Sequence, residues 1–310
     1  MRTTKELYDY AHSTQELLER GHSTRSIKNR ADAGELVTLC RGGYCERHLW
    51  EGANPKEKAI LNAVATHKTL SEKVVFSHET AAVVQGLATL DVPRETHIVG
   101  RRIHGEKQGL RRHYHDAFQG KSTPVAGTPM LALPPELTVL SCATSQSVQS
   151  ALVTAESAVY SAGVPYDDLR TVLLESKGRG CRTARRVGQL MSPLSESAGG
   201  ETLVRFALLD EALPELVQQY EISVAGRIYR VDFALPELGI IIEFDGALKY
   251  TDYGPADQVI LRERQREKDL QNAGWYVIRV GWGDVYPRPH RLLAMVRDAV
   301  ERRSRAPRVA

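Results

Sequence analysis

Cysteine is scarce in this chain: Cys40, Cys45, Cys142 and Cys181 are the four in 310 residues. None forms a CxxC pair or has closely spaced His partners of zinc type, so neither a structural zinc site nor a disulfide framework is suggested. Free thiols in a reducing cytoplasm are expected. Long apolar runs are missing as well. No stretch approaches eighteen apolar residues, and MRTTKELYDYAHSTQELL has no apolar signal core, so a cytoplasmic protein without a membrane partner is expected. Net charge is nearly absent: 41 Lys and Arg against 38 Asp and Glu leave +3, which excludes a histone-like binder and confines any nucleic-acid affinity to local patches. The Gly-rich segment from Lys177 lacks the Gly-Lys-Ser/Thr ending of a phosphate-binding loop. No heptads are evident, and the sequence leaves the oligomeric state open.

What is present is a globular composition, 42% hydrophobic and 25% charged, long enough for two or three domains of mixed α/β class. Residues 1–52 read as a winged helix-turn-helix. Thr3 or Thr4 caps a first helix, Ser13 a second, and Ser23 a third, TRSIKNRADAG, which Gly34 stops. Two alternating strands follow about Arg41-Gly42-Gly43. In such a module the third helix enters the major groove and the wing touches the backbone. Ser23, Thr24, Arg25, Lys28, Asn29 and Arg30 are the helix candidates for contact with double-stranded DNA, and Arg41 is the wing candidate.

Residues 53–193 read as an α/β connecting region. A helix is expected from Pro55, another opens after Ser77 as a hydroxyl cap, and strands are expected at Thr96–Val99 and Leu110–Tyr114. Arg101, Arg102, His104, Lys107, Arg111, Arg112, His113 and His115 form a basic patch around those strands, readable as phosphate contacts or as an exposed loop. Alternating His113 and His115 at a strand end fit surface residues better than metal ligands. Lys177 to Arg186 reads as a helix with a basic face.

Residues 194–310 follow the order α-β-β-β-α-β-α. Glu201 and Arg205 share one face of the first helix. Ile240-Ile241-Ile242 reads as a fully buried strand that ends in Glu243-Phe244-Asp245-Gly246, next to an alternating strand carrying Asp232. Acids in such places need a reason. Carboxylates and the Phe244 carbonyl are hard oxygen donors suited to Mg²⁺ or Mn²⁺. Asp257 is expected to cap a long polar helix through Asn272, on which Arg262, Arg264, Arg266 and Lys268 are mostly solvent-facing.

From Leu194 to Val300 this pattern resembles the PD-(D/E)xK nuclease core, and more narrowly the very-short-patch-repair endonucleases. The matching residues are Glu201 and Arg205 in SESAGGETLVRFALL, Asp232, the EFDG loop, Lys249, and LRERQREKDLQNAGWYVIRVGW. The resemblance implies catalytic roles for Glu201, Asp232, Glu243 and Lys249, and metal ligation by Asp232, Glu243 and Asp245. Asp245 stands where the family carries lysine, and Lys249 would reach back to supply that charge. The segment from Ser23 to Tyr44, with Gly34, Leu36, Arg41, Gly43 and Tyr44, resembles the N-terminal domain of AbiEi-type antitoxins, as does FSHETAAVVQGL further on.

Together these readings imply a DNA-binding protein with a restriction-endonuclease-like domain, a Mg²⁺-dependent endodeoxyribonuclease in a toxin–antitoxin or phage-defence setting, with a toxin as a further partner. The alternative is a non-catalytic antitoxin and transcriptional autorepressor that retains the nuclease fold.

Overall fold

Side-chain caps start the first helices. Thr3 and Glu6 form a reciprocal capping box on α1 (Thr4–Tyr8), Ser13 and Glu16 on α2 (Thr14–Glu19), and Asn54 and Glu57 on a later helix. The computed structural model describes residues 2–101, 108–196, 199–224, 226–246 and 256–305, with the side chains of 256–262 excepted. The described chain is mixed α/β and divides into two units, Met1–Met191 and Ser192–Ala310. None of the described helices is long and apolar enough to cross a membrane.

In the first unit, β1 (Ala11–Ser13) separates α1 from α2, and Ser23 caps α3 (Thr24–Asp32) by accepting from the Ser26 N–H. The hairpin β2 (Leu36–Cys40) and β3 (Gly43–Glu46) follows, and the sheet order is β1-β3-β2. Gly42, at φ +81°, closes the turn, and its carbonyl accepts from the Thr14 N–H. Next come α4 (Arg47–Glu51) and α5 (Pro55–Thr69), with Pro55 in the first turn of α5, where its missing N–H costs nothing. Leu7, Ala11, Cys45, Leu61, Val64, Phe76 and Ile98 belong to one buried cluster, so residues on both sides of position 52 share a core.

A second sheet combines β4 (Val75–Phe76), β5 (Thr96–Val99), β6 (Leu110–His113), β7 (Thr123–Pro124) and β8 (Leu131–Ala132) in the order β6-β5-β4-β8-β7, with α6 (His78–Val84) after β4. Helices α7 (Pro135–Ala143), α8 (Val148–Ala162), α9 (Tyr166–Leu174) and α10 (Cys181–Leu190) complete the unit. Gly163, left-handed at φ +66°, ends α8 where the sequence places its stop.

The second unit holds α11 (Gly200–Leu208), β9 (Val217–Val224), β10 (Arg227–Leu235), β11 (Ile240–Phe244), α12 (Ala256–Asn272), β12 (Tyr276–Val280), α13 (Trp282–Val285) and α14 (His290–Arg305). The sheet order is β12-β11-β10-β9, antiparallel except for the parallel β11/β12 pair. Ile240, Ile241 and Ile242 are fully buried in that central strand. Such side chains contribute about 1.5–3 kcal/mol each, which makes β11 the anchor of the sheet. Gly200 lets α11 approach it: a Cβ at this position would run into the Phe244 ring. Because α12 begins at Ala256, Asp257 lies inside its first turn rather than capping it.

Candidate functional site

Strand pairing sets the acids of the second unit. Phe233 of β10 pairs with Ile242 of β11, one step from Asp232 and Glu243. Asp232 accepts from the Phe244 N–H at 2.8 Å, so its carboxylate is tied to the end of β11. Glu201, buried on α11, accepts from Gln219 at 2.9 Å and from the Glu196 N–H at 3.1 Å. Asp245 is partly exposed, and its N–H donates to the Val280 carbonyl. Lys249 lies outside the described residues, as do Arg102, His104 and Lys107 of the basic patch.

Glu243 is buried and faces two cations. Arg266 of α12 donates to it, and Arg279 of β12 lies 3.4 Å away. Both arginines also hold Glu263, at 3.0 Å and 2.6 Å, which closes a four-residue network. Burial pushes the Glu243 carboxyl up from its ordinary pKa; the two arginines oppose this and nearby Asp232 adds to it. Arg266 is thus partly buried on an acid and not spread into solvent as the helix pattern suggested. The network was missed because Arg279 becomes the partner of Glu243 only through the parallel β11/β12 register, which pairs these two residues.

On α3, Ser23, Thr24, Arg25, Lys28 and Asn29 are exposed while Ile27 is buried, so the polar face points to solvent. Arg41 is exposed at the hairpin turn. Arg30 differs from the other candidates. It makes a two-oxygen contact with Glu46 at 2.8 and 2.9 Å and reaches Glu35 at 3.0 Å, binding the helix to the hairpin. Two arginines of the other basic patch are also paired, Arg111 with Glu95 and Arg112 with Glu72. Arg101 instead lies over the Tyr114 ring.

One grouping was not expected. A ring nitrogen from each of His78, His97 and His113 lies within 4.8 Å of the others, and among the described residues this is the group of three or more potential metal ligands that meets that spacing. The acids Glu201, Asp232, Glu243 and Asp245 do not form such a group. His97 Nδ1 is 2.8 Å from His113 Nε2, and the His78 and His113 rings stack with centroids 3.6 Å apart. Ser77 occupies the N-cap position of α6, but its hydroxyl meets His78 Nδ1 at 3.0 Å instead of capping the helix. The His78 N–H donates to the buried Ser141 hydroxyl at 2.8 Å, and His78 sits in the left-handed region at φ +53°. Burial lowers the pKa of all three, His97 and His113 to about 4. His113 does cluster with histidines, but its partners are 16 and 35 residues away, not the adjacent His115. His115 instead accepts from the Ala117 N–H.

No family model matches the chain. It is similar to two proteins of Mycobacterium tuberculosis, the uncharacterized protein MT2308 of strain CDC 1551 / Oshkosh and the uncharacterized protein Rv2248 of strain ATCC 25618 / H37Rv. Each is 30% identical over 174 residues, which is 56% of this chain. The matched region covers 62% of each relative's length. Among solved structures, the crystal structure of the RV2827C protein from the same organism matches 71% of this chain and 86% of its own, at 14% identity and a TM-score of 0.38.

Proposed function

We propose that the chain is a DNA-binding protein whose Ser192–Ala310 unit is a PD-(D/E)xK-type, metal-dependent phosphodiesterase and whose N-terminal segment is a winged helix-turn-helix. The supporting observation is the juxtaposition of Asp232 and Glu243 on adjacent strands, with buried Glu201 on the helix that Gly200 brings against the same strand. Asp232, Glu243, Asp245 and the Phe244 carbonyl fit Mg²⁺ or Mn²⁺ in donor chemistry. When bound, the ion would polarise the phosphate and activate a water. Arg25, Lys28 and Arg41 would neutralise DNA phosphates, and Ser23, Thr24 and Asn29 would reach base edges. The antitoxin resemblance adds a toxin as a partner, and the four free cysteines fit a cytoplasmic setting.

A second reading rests on the commitment of Glu243 to Arg266 and Arg279. That network favours a non-catalytic, AbiEi-like autorepressor in which the acids are structural. The two readings separate in one experiment: cleavage of supercoiled plasmid and single-stranded DNA with Mg²⁺ or Mn²⁺ by the native chain, Asp232→Ala and Glu243→Ala, alongside duplex binding by all three. Metal-dependent cutting lost in both variants, with binding retained, supports the phosphodiesterase. Specific binding by all three with no cutting supports the repressor.

A further inference from the structure

We propose that His78, His97 and His113 form a binding site for a transition-metal ion of the zinc class, separate from the acidic site and independent of the phosphodiesterase reading. Three separate backbone segments deliver the imidazoles: the junction of β4 and α6, strand β5, and the end of β6. The β5/β6 register pairs Val99 with His113 and His97 with Arg111, which puts the two histidines on one face of the sheet. His78 reaches them from the buried side, at 3% exposure. Its left-handed backbone is rare for a residue with a side chain, and such strain persists only where the surroundings enforce it.

The donor chemistry points to a borderline metal. Imidazole nitrogen suits Zn²⁺, Co²⁺ or Ni²⁺ and is a poor match for Mg²⁺. The Ser77 hydroxyl engages His78 Nδ1, which leaves Nε2 for a ligand, the outer hydrogen bond that metal-binding histidines usually have. Among the described residues, no hydrogen bond reaches His78 Nε2, and His97 Nδ1 and His113 Nε2, which face each other, are the nitrogens that would join it on the ion. Tetrahedral coordination at 2.0–2.1 Å spaces ligand nitrogens about 3.3 Å apart. The 2.8 Å His97–His113 contact must therefore open slightly, a ring swivel that the broad χ2 wells of histidine permit. Three histidines leave a fourth position for water or an exogenous donor, the pattern of an open rather than a closed zinc site. Glu79 is near enough to His113 to act on it electrostatically, and its Oε2 is buried without a hydrogen-bond partner. Nearby acid also offsets charge brought by the ion.

The test uses the full chain without a purification tag, stripped by chelator, then titrated with Zn²⁺ by calorimetry and with Co²⁺ by visible absorption. One equivalent should bind and give the intense spectrum of four-coordinate Co²⁺. His97→Asn and His113→Asn should weaken binding by more than about 100-fold, and Ser77→Ala by about 10-fold, the range for loss of an outer partner. Since a variant at a buried position can fail to fold, imidazole ¹⁵N resonances of the unsubstituted chain provide the deciding readout. Three of its ten histidines should shift with the first equivalent of Zn²⁺. No saturable binding by the stripped chain, full-strength binding by the folded His97→Asn/His113→Asn double variant, or shifts at other histidines would each overturn the proposal.

Discussion

Glu243 and Arg279 are register partners across the parallel β11/β12 pair, and their charged ends lie 3.4 Å apart. Arg266 reaches the same carboxylate from α12. Removing one partner of a buried pair costs roughly 3–5 kcal/mol because the remaining charge is stranded. Arg266 and Arg279 are themselves partly exposed, so each Ala variant should fall near the lower end of that range. Glu243→Gln should cost less than either. Urea unfolding at unchanged slope measures this; an Arg266→Ala variant as stable as the native chain would remove the network from the account.

Arg25 and Lys28 should behave differently from Arg30 despite sharing a helix. If α3 faces DNA, Arg25→Ala/Lys28→Ala should weaken duplex binding across sequences and lower the salt slope by about one per phosphate contact, with no change in thermal midpoint. Arg30→Ala should instead lower stability, through loss of its contacts to Glu46 and Glu35. Binding titrations at several salt concentrations, paired with melts, separate the two roles.

Acid should destabilise the first unit partly through Glu57. The Arg2 side chain donates to its carboxylate at 2.9 Å, and this hydrogen bond holds the Glu57 pKa down to about 2 from an ordinary 4.5. Between those values the unfolded chain binds more protons than the folded one, so stability rises with pH. The contribution is fully present above about pH 4.5 and is lost as pH falls toward 2. Glu57→Gln should flatten that part of the stability curve relative to the native chain; parallel curves would assign the acid sensitivity elsewhere.

Gly200 should not tolerate a side chain. A Cβ there meets the Phe244 ring, which is itself buried and packed edge-on against Trp282 with centroids 5.2 Å apart. Gly200→Ala should cost about 1–3 kcal/mol, the usual range for overpacking. If the acids of α11 and β11 act together, it should also reduce any metal-dependent cleavage more than it reduces duplex binding. A melt and a plasmid assay on one preparation check both.

Much of the local architecture is legible along the chain because its causes are local. Thr3, Ser13, Ser23 and Asn54 each accept from an N–H three residues on, and the stop at Gly163 requires only a left-handed residue. Burial of the Ile240–Ile242 run and exposure of Arg25 and Lys28 follow from residue type and period. The sequence by itself therefore determined the central strand, the order of the longer elements of the second unit and the positions of the candidate acids, whereas the short pieces β1, β4, β7, β8 and α13 carry too few residues to show a period. Tertiary pairing decided which charges meet. Arg279 finds Glu243 only when β12 docks parallel to β11, and Arg30 turns toward Glu46 only when the hairpin folds back on α3. The histidine cluster is the clearest case. His78, His97 and His113 carry no shared spacing, and only the order β6-β5-β4 brings their rings together, because sheet neighbours are set by buried area and backbone hydrogen bonds summed over whole strands.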